Sequence, residues 1–176
     1  MMREIAIYVM LLSLLSGCGT RKNDEKDNSS LDSLGKRVIT ALSDEDREEY
    51  ISCWVPIDDF ITMLRGAKYN RLSEGEIPQF RKDYEEARED ALDMYDRIIS
   101  DMQSEGIKPD SIRFHSVYTR VYNEFGIEST SDIKVYFTSK DKPGDLYYVD
   151  TDDAYKVNGK WYFTDALGTG IEKEKK

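Results

Sequence analysis

Histidine and cysteine are scarce in this 176-residue chain, which has one of the first and two of the second. With His115 as its only imidazole, the chain offers no histidine pair for zinc and a single histidine base. Two cysteines, Cys18 and Cys53, do not make a disulfide framework. Basic residues are also short, 25 against 35 acidic ones, for a net charge of −10. That balance argues against nucleic-acid binding, which needs a basic face to displace counterions. It argues equally against adsorption to anionic lipid through charge alone. The apolar run from Ile5 to Leu15 rises only ~16 Å as a helix, about half of a bilayer's hydrocarbon core, and makes a poor span. No nucleophile elbow, glycine-rich phosphate loop, zinc pair or kinase signature is present. Gly168-Thr169-Gly170 lacks the following helix and lysine of a phosphate loop. No catalytic, cofactor-binding or metal-binding residue is assigned.

What is present begins with a leader. Arg3 gives a positive start, the run to Leu15 gives an apolar core, and Ser16 and Gly17 leave room for a peptidase before Cys18. Leu15-Ser16-Gly17-Cys18 resembles the lipobox of bacterial lipoproteins. The resemblance implies cleavage before Cys18 and fatty acylation of its thiol, which ties the chain to a membrane; several acyl chains anchor firmly where one is marginal. Glu4 departs from the usual leader, and an ordinary leader with an incidental cysteine is the alternative. Gly19 stands where many inner-membrane lipoproteins carry aspartate, so the resemblance implies an outer-membrane address. The acidic cluster after Cys18 resembles a tract that some lipoproteins carry for export to the cell surface; a solvated spacer is the other reading.

The expected organisation is a signal peptide over 1–17, a lipid-anchored charged tether over 18–30, one α+β domain over 31–168 and a charged, frayed tail over 169–176. The tether has nothing large and apolar to bury. Leu34, Val38, Ala41 and Leu42 then share one helical face. Ser43 is expected to cap a second helix, with Asp44 to Asp46 in its first turn. Pro56 opens a third, with Ile57, Phe60, Ile61 and Leu64 as its apolar side, and Gly66 closes it. The longest stripe is Phe80, Tyr84, Ala87, Ala91, Met94, Ile98 and Met102, which predicts a helix over 78–104 lying on a sheet. A coiled-coil seam is the alternative.

From Ser111 the composition turns to strand, over 111–125, 132–139, 145–157 and 160–167. Lys142-Pro143-Gly144-Asp145 predicts a type II turn, and Asn158-Gly159 a type I′ hairpin turn. Helices followed by a four-stranded antiparallel meander make an α+β domain with its helices on one sheet face. This order, with the closing strand Lys156–Phe163, resembles the cystatin-like cone of the nuclear-transport-factor-two and SnoaL type. That resemblance implies a curved sheet around the long helix and a pocket.

Few side chains stand out for chemistry. Asp150-Thr151-Asp152-Asp153 could hold a hard cation, but it lacks the glycine and terminal glutamate of an EF-hand loop. Strand alternation would set Asp150 and Asp152 on one face and Asp153 on the other. His115 reads as a surface or hydrogen-bonded residue, and Cys53 as small core filler. The tyrosines of the strands (Tyr118, Tyr122, Tyr136, Tyr147, Tyr148, Tyr155, Tyr162) could stack on a glycan or anchor a protein partner; cross-strand packing is the plainer reading. The expectation is a membrane-anchored lipoprotein acting as a non-enzymatic binding or accessory module with a protein or glycan partner. The alternative is a small enzyme using a polar pocket in a cone-like fold.

Overall fold

The computed structural model describes residues 28–67, 72–124, 126–168 and 170–174. The leader, Cys18 and most of the tether lie outside them. Four helices come first: α1 (Leu31–Ser43), α2 (Arg47–Ile51), α3 (Ile57–Gly66) and α4 (Ile77–Ser104). A 3₁₀ turn over Pro109–Ser111 leads into β1 (Ile112–Glu124), β2 (Ile127–Ser139), β3 (Leu146–Val157), β4 (Lys160–Phe163) and β5 (Glu172–Lys173). The strands run antiparallel in the order β1-β2-β3-β4, and β5 also pairs with β3. The α+β class is therefore as the sequence implies.

Local chemistry explains most boundaries. Ser30 and Ser33 form a capping box at the start of α1, satisfying amides that have no partner within the helix. Leu34, Val38, Ala41 and Leu42 are buried along its inner face. The cap of α2 is Asp46, whose carboxylate accepts from the Glu49 amide at 2.8 Å. Ser43 instead completes α1, which runs one residue further than a cap there would allow. After α4 the amides of Gly106 and Ile107 turn back to the Gln103 and Met102 carbonyls, and Ile107 packs beside Met102 in the core, as in a Schellman ending. Both tight turns have the expected backbone. Gly144 has φ 87°, and Asn158 and Gly159 have φ 51° and 78°.

One core holds the layers together, built from α1, α2, the C-terminal half of α4 and the inner faces of β2, β3 and β4. The helix laid closest on the sheet is α1. It approaches at Gly35, where an added Cβ would lie 2.5 Å from the Val117 side chain. The long helix buries Ala91, Tyr95, Ile98 and Met102, and Tyr95 meets Tyr50 of α2 with ring centroids 5.0 Å apart. Its first half is only half-buried along Phe80, Tyr84 and Ala87. There Phe80 meets Phe60 of α3, and Tyr84 meets Trp54.

Two boundaries differ from the sequence reading. Packed structure already includes Asn28, three residues before Leu31. The Asn28 carbonyl accepts from the Trp161 amide at 2.8 Å, and its side-chain oxygen accepts from Arg37. The charged tail is not frayed over its described part. After Phe163 the chain keeps company with β3, as Thr164 donates to the Asp153 carbonyl, Gly168 to that of Asp150 and Glu174 to that of Leu146. Between these points it bulges inward to bury Leu167. In effect β4 and β5 are one interrupted strand.

Candidate functional site at the free end of the sheet

The residues singled out by sequence fall in separate places. Cys53 is a buried thiol whose Sγ lies 3.6 Å from the Glu49 carbonyl. Its carbonyl accepts from Phe163 of β4. His115 sits on β1, three strands beyond β4, or ~14 Å from β4 at the usual strand spacing. There it is the extra residue of a bulge, since Phe114 pairs with Phe137 and Ser116 with Tyr136. Its side chain is exposed, and its Nδ1 lies 2.9 Å from the Ser116 hydroxyl. A thiol–imidazole pair is thereby ruled out by geometry.

The tyrosines do not form one face. Tyr147 points into the core. On the opposite face Tyr136 and Tyr148 meet at 5.5 Å, with the Lys134 ammonium 4.1 Å above the Tyr148 ring. The returning tail closes over them. Tyr148 donates to Glu172, and Tyr136 to Glu174 at 3.2 Å. The Glu172 carboxylate accepting this bond, together with burial, raises the Tyr148 pKa. Tyr155 meets Phe60 at 5.4 Å with the rings tilted. Burial likewise pushes the phenols of Tyr84 and Tyr95 up to about 12.

Tyr118, Val121 and Tyr122 remain, 59%, 55% and 40% exposed. Among the described residues these are the large hydrophobics left open to solvent. They fall within five consecutive positions of β1, the edge strand. Alternation sends Tyr118 and Tyr122 to one face and Val121 to the other, so the β1–β2 hairpin projects past the helices. Beside Tyr122 lies a hollow of ≈240 Å³, lined by Ile127, Ser129, Thr130, Ser131, Asp153 and Tyr155. The Ser131 hydroxyl is 3.4 Å from that of Tyr122.

The acidic run is bent around this hollow. Ser131 pairs with Asp153 and Ile133 with Thr151, which sets Asp132 opposite Asp152. Asp132 has φ 54°, and the β1–β2 register slips beside it. Inward-facing residues consequently change parity on both strands, from Ile133 to Thr130 and from Thr151 to Ala154. The alternation expected for Asp150, Asp152 and Asp153 fails at that point. Burial raises the Asp153 pKa, and the neighbouring Asp152, Asp165 and Asp132 raise it further. Asp150 is raised by its own burial and then by Glu172. Among the described residues no three His, Cys, Asp or Glu side chains converge as a metal site, and no helix is long and apolar enough to cross a membrane.

The exposed edge carried a sequence signal that periodicity alone overlooked. Val117, Tyr118, Val121 and Tyr122 put apolar side chains on both faces of one strand. An edge strand has no second layer to cover both.

The fold so described is α+β, helices followed by an antiparallel sheet. No protein-family model matches the chain, and no curated protein matches it. Among solved structures it is similar to a cystatin-like protein from Ruminococcus gnavus, at 10% identity and a TM-score of 0.44. The alignment covers 82% of this chain and 45% of that one.

Proposed function

We propose that this chain is a lipid-anchored lipoprotein of the bacterial envelope whose domain is a non-enzymatic binding or accessory module. Cys18 carries the lipid, residues 19–27 are the tether, and the address is the outer membrane. Its body is read as a variant of the cystatin-like cone, on element order alone. The observation that carries the binding role is the exposed run Tyr118, Val121 and Tyr122 at a free sheet edge. Apolar side chains gathered on an otherwise acidic surface mark contact sites for other macromolecules, and tyrosine gives a partner a rigid ring with a polar tip.

Two measurements test the two halves of this reading. Cys18→Ala should abolish incorporation of labelled fatty acid and leave the precursor unprocessed in cells. Normal processing and membrane retention of that variant would refute the anchor. A photo-crosslinking residue at Tyr118 should capture a macromolecule in intact cells, while one at Glu89, exposed on α4, should not. Equal capture at both positions, or at neither, would refute the contact surface.

The hollow at Asp153 favours a second reading, a small enzyme with one raised carboxyl at its centre. At ≈240 Å³ it falls below the usual ~300–1,000 Å³ of ligand pockets. Retention of a small metabolite on purification, lost in Asp153→Asn, would support the enzyme over the binding module.

A further inference from the structure

We infer that the free edge of β1 pairs with the same edge of a second copy of this chain, antiparallel, about a two-fold axis at Val121. This rests on the reading of Tyr118 to Tyr122 as a contact surface and names its occupant.

The backbone shows which groups are available. Along an edge strand alternate residues direct both their N–H and C=O outward. The Val117 amide is one of the outward set, since it donates to the Asp32 carboxylate at 3.2 Å across the edge. Thr119, Val121 and Asn123 follow in the same phase. Towards the start of the strand the edge is closed to a partner, by Asp32 at Val117 and by the bulge at His115. Bulges and charge are the devices that protect sheet edges. The stretch from Tyr118 to Asn123 has no proline, and it carries the exposed apolar side chains. The register slip between Tyr118 and Arg120 places its extra residue on β2, so that β1 itself runs on.

Side-chain chemistry then selects the register. An isologous antiparallel pair must place one residue opposite itself. Centring on Arg120 would oppose two guanidinium groups at a close, non-hydrogen-bonded position, and like charges there are destabilising. Centring on Thr119 would need the Val117 amide that Asp32 holds. Centring on Val121 makes it a hydrogen-bonded pair with its copy. Thr119 then faces Asn123, and Arg120 faces Tyr122, a cation over a phenol ring. Both flanking pairs recur by symmetry, and no like charges among Tyr118 to Asn123 are opposed.

Such a ribbon covers less than the ~800 Å² per partner of a standard interface. Its affinity in dilute solution is therefore low, and tethering both copies to one membrane supplies the effective concentration it needs. A lipid anchor and a short open edge serve the same end.

The test is disulfide scanning of the anchored, full-length protein in vesicles under a mild oxidant, with Cys53 left in its buried place. Paired residues across such a ladder have Cα atoms ~5.5 Å apart, within disulfide range. Val121→Cys should give a covalent dimer at least tenfold more readily than Thr119→Cys. The double variant Thr119→Cys with Asn123→Cys should recover the dimer. Val121→Lys, at a position already exposed, should abolish wild-type crosslinking by a short amine-independent reagent while leaving circular dichroism unchanged. Equal dimer yields from Val121→Cys and Thr119→Cys would overturn the proposed register and with it the inference. Capture of a different protein at Val121 in cells, without self-capture, would overturn the second copy and leave the contact surface standing. Capture of nothing there would remove both.

Discussion

Asp153 shows how one side chain can be charged at a cost to the fold. Its carboxyl is raised above the ordinary aspartate value, first by burial and then by Asp152, Asp165 and Asp132. A folded pKa above the unfolded one means that the native state holds the proton more tightly. Unfolding then becomes easier as pH rises past the unfolded value of 3.8 and through the folded one. Asp153→Asn removes the charge while keeping the shape. It should raise the melting temperature at pH 7 and leave it unchanged at pH 3, where the native carboxyl is already protonated. A gain of the same size at both pH values would show that the charge is not the cause. Residue roles were unevenly legible from sequence. Cys53 is core filler and His115 a surface residue, as their neighbours suggest. The bulge that isolates His115 depends on its partner strand, and no local pattern encodes it.

At the scale of elements, α1 comes close to the sheet at a residue with no side chain. Gly35 lies within α1, where glycine costs about 1 kcal/mol relative to alanine. Restoring a Cβ should therefore help the helix taken alone. In the fold that Cβ would meet Val117, Phe114 and Val135 at 2.5, 3.1 and 3.2 Å. Overpacking of this kind costs about 1–3 kcal/mol. Gly35→Ala should consequently cost the protein up to about 2 kcal/mol in urea unfolding, with the slope unchanged. A stabilised variant would mean that α1 does not seat on β1 as described. Elements with strong periodicity were readable: α1, α4 and the hairpin turned by Asn158-Gly159 all lie where the sequence puts them. Caps and edges were less so. Ser43 and Asp46 are both good caps, and only the run of α1 through Ser43 decides between them. The strand β4 could not be followed to Glu174, because the intervening bulge is set by where Leu167 finds a hole in the core.

For the whole molecule, order of elements was legible and their stacking was not. The apolar stripe on α4 is the longest in the sequence, yet half of it is only half-buried, and the helix nearest the sheet is the shorter α1. A stripe reports that a face is covered without saying by what. The start of the packed body illustrates the same limit. Composition places it at Leu31, whereas Asn28, three residues earlier, is already only 1% exposed. That residue ties the chain to β4 through its carbonyl and to the half-buried Arg37 through its side chain. Arg37 in turn bridges to Glu49 at 2.7 Å and to the Ser52 hydroxyl at 2.8 Å. Asn28 thereby joins the sheet and α1. A chain beginning at Asn28 should thus melt with the longer protein. One beginning at Leu31 loses the Ser30 cap, worth about 1 kcal/mol, and two hydrogen bonds of about 1 kcal/mol each. Its melting temperature should fall by about 6–12 °C, given about 2–4 °C per kcal/mol for a domain of this size. If the two shortened chains melt within a degree of each other, Asn28 is an ornament of the tether and the body does begin at Leu31.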